Sequence, residues 1–168
     1  MQTVLETSRL QLRRYTLEDL DDRVAMFADE ETMRYNPRTK TRDETIEWIE
    51  WNLRSYAKEG FGLWVIELKP DGEFLGECGL VMQEVEGRRE VELGYSVKRQ
   101  FWRRGIAKEA AAAVRDYAFS QIGLDRLISI IHPANVASQR VAESIGMSLE
   151  KRVDQWGRPH LIYALEPH

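Results

Sequence analysis

An apolar strand runs directly into a basic, glycine-containing turn and then into an alanine-rich helix within Val91–Val114. A helix start leaves several backbone N–H groups without intrahelical partners and carries the positive end of the helix dipole, so it is suited to bind phosphate. Gly105 would let such a ligand approach the backbone closely. Arg103, Arg104 and Lys108 crowd the first turn, where cations oppose the helix dipole. The turn therefore favours a site for a multiply charged anion, with a solvated basic patch as the alternative.

Length and composition favour a single domain over residues 1–168. A chain of 168 residues is expected to bury roughly 70% of the surface that its unfolded form exposes. Its single cysteine excludes an intramolecular disulfide, and we find neither a secretory leader nor an apolar run near the roughly 20 residues that span a bilayer. We therefore expect a cytoplasmic protein without membrane contact. A net charge of -4 argues against a general nucleic-acid binder and mildly favours cationic acceptors.

Hydrophobic periodicity and turn signals predict one order of elements: strand, two helices, three-strand meander, helix, strand, helix and hairpin. Thr16 and Thr41 begin the first two helices, the second with a capping box. Gly123 closes the third helix, and Asn135 caps the fourth. After a first strand around Leu10, the other predicted strands cover 61–68, 74–84, 90–97, 126–131, 148–155 and 160–165.

The glycine turn carries a family resemblance. The hexapeptide Trp102-Arg-Arg-Gly-Ile-Ala107 after the strand Glu92–Val97 resembles the acetyl-CoA loop of the GNAT N-acetyltransferase superfamily, whose signature is Gln/Arg-x-x-Gly-x-Gly/Ala. Trp102 occupies the usual Gln/Arg position. Three further segments are similar to the branch of the RimJ/RimL ribosomal-protein N-terminal acetyltransferases: Thr7–Arg13, Asn135-x-x-Ser138 and Glu143–Met147. The resemblance covers nearly the whole chain.

This resemblance implies an α+β GNAT fold. Its central sheet is mixed but mostly antiparallel, has six to seven strands, is flanked by about four helices, and splays between the fourth and fifth strands. The resemblance also implies acetyl-CoA as cosubstrate, with the pantetheine arm paired in the splay to backbone groups of the cofactor strand. The expected cofactor-binding residues are Tyr95, Ser96, Val97, Arg103, Arg104, Gly105, Ile106, Ala107, Lys108 and Asn135.

Acetyl transfer to an amine needs a neutral amine and a group that protonates or stabilises the leaving thiolate. Glu92, on the cofactor strand, is the candidate general base, acting directly or through water; an ordinary solvent-facing carboxylate is the alternative. The resemblance implies that Asn135 contacts the pantetheine arm and that Ser138 hydrogen-bonds the departing sulfur, although helix capping alone explains Asn135. The superfamily's common tyrosine acid falls at Ala142, which has no proton to donate. The acid is therefore Ser138, another residue or water.

Covalent catalysis by a cysteine and catalysis by a bound metal fit the sequence less well than direct acetyl transfer. Strand alternation places Cys78 among apolar residues, where a cysteine is more often a small hydrophobe than a nucleophile. His132 and His160 pair with neither each other nor Cys78 in a metal-ligand spacing. We therefore expect neither an acetyl-cysteine intermediate nor a bound metal.

Acceptor recognition is expected from two loops. Tyr35 and Asn36 lie between the first two helices, and Trp156 and His160 belong to the last hairpin. Their aromatic and hydrogen-bonding character suits binding, while core packing is the competing explanation for the aromatic side chains. The superfamily's last hairpin often carries an acidic residue where His160 stands, so this chain departs from a pattern associated with protein N-termini.

The predicted activity is N-acetylation of a primary amine by direct attack in a ternary complex. A protein or peptide N-terminus is the first candidate acceptor, and a small amine is the second. The alternatives are a non-catalytic acyl-CoA-binding module and a phosphate-ligand or nucleic-acid binder that uses Arg103 and Arg104. The sequence leaves monomer and homodimer equally open.

Overall fold

The computed structural model describes residues 3–167 and places eight strands and four α-helices in that range. The strands are β1 Thr3–Glu6, β2 Leu10–Arg13, β3 Leu63–Leu68, β4 Glu73–Val85, β5 Arg88–Val97, β6 Leu127–Ile131, β7 Ser148–Gln155 and β8 Arg158–Leu165. The helices are α1 Leu20–Ala28, α2 Arg42–Glu59, α3 Ile106–Tyr117 and α4 Val136–Ser144. The predicted order of elements is confirmed, with one additional strand at the start.

All eight strands form one sheet in the order β1-β2-β3-β4-β5-β6-β8-β7. Every neighbouring pair is antiparallel except β5 and β6, which run parallel. β5 and β6 share one paired position, Glu92 with Ile128, although both strands continue beyond it. The two strands therefore separate toward their carboxyl ends, as the predicted splay requires. The α+β architecture with a mixed, mostly antiparallel sheet is confirmed.

The start of the chain differs from the prediction of one strand. The Thr7 hydroxyl accepts the backbone N–H of Leu10 at 3.0 Å, and the Thr7 backbone N–H donates to the Leu10 carbonyl at 2.9 Å. This pair of bonds stabilises a tight turn, because a threonine hydroxyl can replace a backbone acceptor. The turn sends β1 back along β2 as an edge strand and adds the eighth strand to the sheet.

The capping box predicted at Thr41 is present, and the predicted N-cap Thr16 also forms one. Thr16 caps a short 3-10 turn, Leu17–Asp19, that leads into α1, and Thr41 caps α2 with Glu44 as its partner. Helix α1 ends at Ala28, well before Pro37. The segment between α1 and α2 is consequently a long loop, and this loop carries Tyr35 and Asn36.

Helix α3 packs its small residues on one face of the sheet. Ala110, Ala111 and Val114 are fully buried together with Leu12 and Trp64 from the central strands. A second cluster joins α1 and α2 to the opposite face of β3 and β4. Close packing of the alanine-rich face fixes the N-terminus of α3 against the sheet. Within residues 3–167, no helix has the length and apolar character needed to cross a membrane.

Candidate active site

The gap between β5 and β6 exposes backbone groups of the cofactor strand. The Ser129 hydroxyl donates to the Leu93 carbonyl at 2.7 Å, so the carbonyl of Leu93 faces β6. Backbone groups of alternate residues on a strand point to the same neighbour. The backbone of Tyr95 therefore also faces the gap, while that of Ser96 faces β4, where Ser96 pairs with Glu77. The third predicted strand residue is Val97. Its carbonyl accepts a hydrogen bond from the Trp102 indole N–H at 2.7 Å.

A cavity of about 200 Å³ lies at this gap. Glu92 and Tyr95 both line it, although residues three apart on a strand point to opposite faces. The cavity therefore lies at the open edge of β5, where residues from both faces of the strand line it. It brings together eight predicted site residues from five segments of the chain: Tyr35, Asn36, Glu92, Tyr95, Asn135, Ser138, Trp156 and His160.

Glu92 is a half-buried carboxylate held by both neighbouring strands. The Gln83 side-chain amide of β4 donates to its Oε1 at 3.0 Å, and the Ile130 backbone N–H of β6 points to its Oε2 at 3.4 Å. Burial raises the pKa of Glu92 from 4.5 to about 7, against the opposing effect of these two hydrogen bonds. A carboxylate with this pKa is poised to exchange protons near neutral pH, as a general base must.

The raised pKa of Glu92 predicts a pH-dependent loss of stability. The folded protein holds the Glu92 proton up to about pH 7, whereas the unfolded chain releases it near 4.5. Stability therefore falls as pH rises from 4.5 to 7, by about 1.4 kcal/mol per unit of pKa difference. Glu92→Gln should lose less stability than the wild type between pH 5 and pH 8, which thermal unfolding at both pH values measures. Equal losses in the two proteins would contradict a raised pKa at this position.

Ser138 and Tyr95 form a hydrogen-bonded pair beneath the gap. The Tyr95 hydroxyl donates to the Ser138 carbonyl at 2.8 Å and accepts from the Ser138 hydroxyl at 3.1 Å. The Asn135 side chain accepts the Ser138 backbone N–H at 3.1 Å and so caps α4, as predicted. Burial raises the pKa of the Tyr95 phenol. The sequence predicted a role for the backbone of Tyr95 but not for its hydroxyl, which is hydrogen-bonded to the proposed acid Ser138.

Two residues considered at the sequence level lie in the core. Ala142 is fully buried among residues from α3 and β6, so a tyrosine at this position would not fit without displacing its neighbours. Cys78 is also fully buried, and burial raises the pKa of its thiol, as its apolar setting predicted. Within residues 3–167, no three His, Cys, Asp or Glu side chains are grouped to hold a metal ion.

The loop before α3 has the backbone shape of an anion site. Arg103 (φ 65°) and Gly105 (φ 74°) both adopt the left-handed conformation, and such turns gather successive N–H groups into a concave nest. Gly105 is the N-cap of α3, so the free N–H groups of the first helical turn follow directly. The nest and helix start together fit a diphosphate, whose oxygens need several N–H donors on one side.

The side chains of the loop divide into two groups. Arg103, Arg104 and Lys108 are exposed, whereas Ile106 is buried in the core and offers only its backbone. The guanidinium of Arg104 lies over the Phe101 ring at 5.2 Å. Ala107 is half-buried and gives the first turn a small surface. The loop thus presents cations at its rim and backbone donors at its centre.

An aromatic and imidazole cluster forms the opposite end of the cavity. The Tyr35 ring lies 5.3 Å from the His132 ring, and Trp156 lies 5.2 Å from His160 in an edge-on contact. The two histidine rings are 6.1 Å apart. His132 was missed as a site residue, because nothing in its local sequence shows that the end of β6 faces the last hairpin.

Hydrogen bonds fix the neutral tautomers of both histidines. His160 Nδ1 lies 3.0 Å from the Arg158 carbonyl, which only accepts, so Nδ1 carries the proton and Nε2 holds a lone pair. His132 Nδ1 accepts the Ala134 backbone N–H at 3.0 Å, so its Nε2 carries the proton. Burial, followed by nearby Arg158 and His160, lowers the pKa of His132. The cluster therefore offers both a hydrogen-bond acceptor and a hydrogen-bond donor.

The chain is similar to known proteins over nearly its whole length. Residues 9–148 match the acetyltransferase (GNAT) domain. YkkB of Bacillus subtilis (strain 168) is 40% identical over 164 residues, covering 96% of this chain and 94% of YkkB. The crystal structure of an acetyltransferase from Agrobacterium tumefaciens str. C58 superimposes with a TM-score of 0.85 at 28% identity, covering 99% of this chain and 95% of that one.

A more distant likeness concerns the fold alone. RimL, the ribosomal L7/L12 alpha-N-protein acetyltransferase in complex with coenzyme A, gives a TM-score of 0.81 at 15% identity, with 98% of each chain covered.

The present chain belongs to the GNAT family of acetyltransferases. It is accordingly an acetyl-CoA-dependent N-acetyltransferase, and the resemblance predicted from its glycine loop is confirmed.

Proposed function

We propose that the protein transfers the acetyl group of acetyl-CoA to a primary amine by direct attack within a ternary complex. The observation that carries this proposal is the position of Glu92. Glu92, whose carboxyl group has a pKa of about 7, lines the same cavity as Ser138 and the aromatic and imidazole cluster. A base on one side of the sheet gap and hydroxyl donors on the other suit a reaction that removes one proton and supplies another.

The chain's own residues hold the donor in place. Backbone N–H groups of the nest at Arg103–Gly105 and of the first turn of α3 bind the diphosphate. The backbone of Tyr95, facing the gap, pairs with the pantetheine arm as an added strand would, and Asn135 lies at the far side of the gap. Acetyl-CoA supplies the activated acyl group. Holding it in one orientation lets a bound amine attack without further search.

Proton movement follows from the two sides of the cavity. Glu92 accepts a proton from the acceptor ammonium, directly or through water, while Gln83 and the Ile130 N–H keep its carboxylate oriented. The Ser138 hydroxyl, which donates to the Tyr95 hydroxyl in the structure, turns to hydrogen-bond the departing thiolate and keeps its own proton. The attacking nitrogen loses its second proton to water, and this proton neutralises the thiolate of CoA. An α-amine with a pKa near 8 needs less assistance than a lysine near 10.4, since roughly a tenth is already neutral at pH 7.

The acceptor enters past Tyr35, Asn36, Trp156 and His160. The lone pair on His160 Nε2 and the carboxylate of Glu92 both attract an ammonium group, and the rings of Tyr35 and Trp156 add cation–π attraction. These features favour a cationic amine, either a peptide N-terminus or a small amine. His160 stands where the superfamily often has an acid, so an imidazole nitrogen, and not a second carboxylate, is the hydrogen-bond acceptor for the ammonium group at this position.

Trp156 has a conformation that its packing does not explain. It occupies the two-residue turn between β7 and β8 with a φ of 54°, and Gly157 follows with a φ of 77°. Asn-Gly and Asp-Gly are the usual occupants of such turns, and a bulky side chain at positive φ is an outlier. Trp156 is nevertheless 59% exposed beside the cavity. Strain together with exposure supports a role in acceptor binding.

Trp156→Asn should therefore separate binding from stability. We expect kcat/KM for the acceptor to fall about tenfold, which corresponds to about 1.4 kcal/mol of lost contact, while KM for acetyl-CoA and Tm stay unchanged or Tm rises. Glu86→Asn is the matched control, because Glu86 (φ 50°) and Gly87 (φ 77°) form the equivalent turn between β4 and β5. If both variants leave acceptor kinetics unchanged, Trp156 does not contact the acceptor.

Thiol release tests the proposed function against its alternative. The protein is incubated with acetyl-CoA and a panel of peptides with free N-termini, amino acids and polyamines, and free CoA is measured together with acetylated product by mass spectrometry. We expect release that depends on at least one amine. Tight CoA binding with no amine-stimulated release would identify a non-catalytic acyl-CoA-binding module instead.

A further inference from the structure

The turn between β1 and β2 reaches across the molecule to the cofactor loop. The Arg9 guanidinium donates from Nε to Glu109 Oε1 at 2.7 Å, and the Arg9 backbone N–H donates to Glu109 Oε2 at 3.1 Å. The Thr7 hydroxyl donates to the same Oε2. Glu109 lies in the first turn of α3, so three bonds from one turn converge on the helix start that follows Gly105.

The terminal nitrogens of Arg9 lie at the glycine of the loop. Arg9 Nη2 is 3.5 Å from the position that a β-carbon on Gly105 would occupy. Within residues 3–167, Glu109 is the side chain that pairs with this guanidinium, and it uses Nε. The Arg9 side chain is 44% exposed. Its four N–H donors on the terminal nitrogens are thus held beside the loop and remain available.

Glu109 needs a counter-charge if an anion binds at this end of the helix. A carboxylate in the first turn of α3 would repel a diphosphate bound at the same helix end. Burial works to raise the pKa of Glu109, but hydrogen bonds from Thr7 and Arg9 hold it below its ordinary value, so the group is ionised. Pairing with Arg9 neutralises this charge, and it also fixes the planar guanidinium, whose fork matches phosphate oxygens.

We propose that Arg9 is a ligand of the CoA diphosphate and that Glu109 and Thr7 position it. This inference rests on the proposed function, because it assigns a further residue to the same cofactor site. Stabilisation of the β1–β2 turn is a weaker explanation, since partly exposed ion pairs contribute little to stability. The loop and the first turn of α3 carry three exposed cations, Arg103, Arg104 and Lys108. Arg9 comes from the β1–β2 turn and is held in place by its ion pair with Glu109.

Affinity for CoA in Arg9 variants tests the proposal. Arg9→Gln should raise the Kd of CoA in calorimetry at least about tenfold, while Tm changes by no more than a few degrees. Arg9→Lys keeps the charge without the fork and should give a smaller loss. Arg42→Gln is the control, because Arg42 is an exposed arginine that pairs with Asp21 at 2.9 Å on another part of the surface; it should bind CoA as the wild type does.

Truncated donors separate a phosphate contact from a structural role. S-acetylpantetheine lacks the diphosphate, so Arg9→Gln should match the wild type with this donor. 3′-Dephospho-CoA retains the diphosphate, so the loss seen with CoA should persist. Unchanged CoA affinity in Arg9→Gln, an equal loss with S-acetylpantetheine, or recovery with 3′-dephospho-CoA would each overturn the assignment. Wild-type protein that neither binds nor uses acetyl-CoA would instead refute the proposed function itself.

Discussion

Gly105→Asp is expected to weaken CoA binding at least about a hundredfold while the protein remains folded. A carboxylate at position 105 would stand beside the diphosphate, and like-charge repulsion of this kind costs several kcal/mol. The φ of 74° at Gly105 adds some backbone strain, which affects folding more than binding. Each tenfold loss of affinity corresponds to about 1.4 kcal/mol, so a repulsion of several kcal/mol corresponds to a loss of CoA affinity of more than a hundredfold. Calorimetry with CoA and thermal unfolding measure the two quantities separately.

Gly123→Asp is the control for this variant. Gly123 ends the helical segment after α3 with a φ of 83°, and no heavy atom lies within 4 Å of its added β-carbon. The substitution introduces the same strain and the same charge away from the loop. Comparable losses of CoA affinity in the two variants would mean that general destabilisation, and not the loop, explains the effect.

Glu92→Gln should lower kcat by about two to three orders of magnitude, which is the usual contribution of a positioned general base. The wild-type kcat/KM should rise with pH through an ionisation near 7, because only the ionised carboxylate accepts a proton. The variant should lack this rise and keep the later increase caused by ionisation of the amine itself. CoA affinity should stay unchanged, since Glu92 acts on the acceptor.

Glu90→Gln provides the comparison on the same strand. Glu90 is buried and pairs with Arg126 at 2.9 Å instead of lining the cavity. Its substitution should reduce stability but preserve the ionisation near pH 7. A Glu92→Gln enzyme that retains kcat within a few-fold, together with the rise near pH 7, would exclude Glu92 as the base.

Local sequence features predicted most of the fold. The capping boxes at Thr16 and Thr41, the glycine turn and the alanine-rich face of α3 each depend on residues within one or two turns of each other. The predicted boundaries differ from the structure where a side chain replaces a backbone partner. At Thr7, a pair of hydrogen bonds with Leu10 forms a turn that places a further strand, β1, before the strand predicted around Leu10.

The parts of the site that sequence reasoning missed depend on distant pairing. Gln83 reaches Glu92 only because of the register between β4 and β5. Tyr95 meets Ser138 from an element 43 residues away, and Arg9 meets Glu109 across 100 residues. Strand alternation describes which face a residue occupies, but the partner on that face is set by tertiary packing.

A crystal structure of the protein with CoA tests the central claim most directly. We expect the diphosphate oxygens within hydrogen-bond distance of the backbone nitrogens of residues 105–107, with the pantetheine arm between β5 and β6 and its sulfur near Ser138. A diphosphate bound elsewhere, or an arm that avoids the gap between β5 and β6, would contradict the site described above.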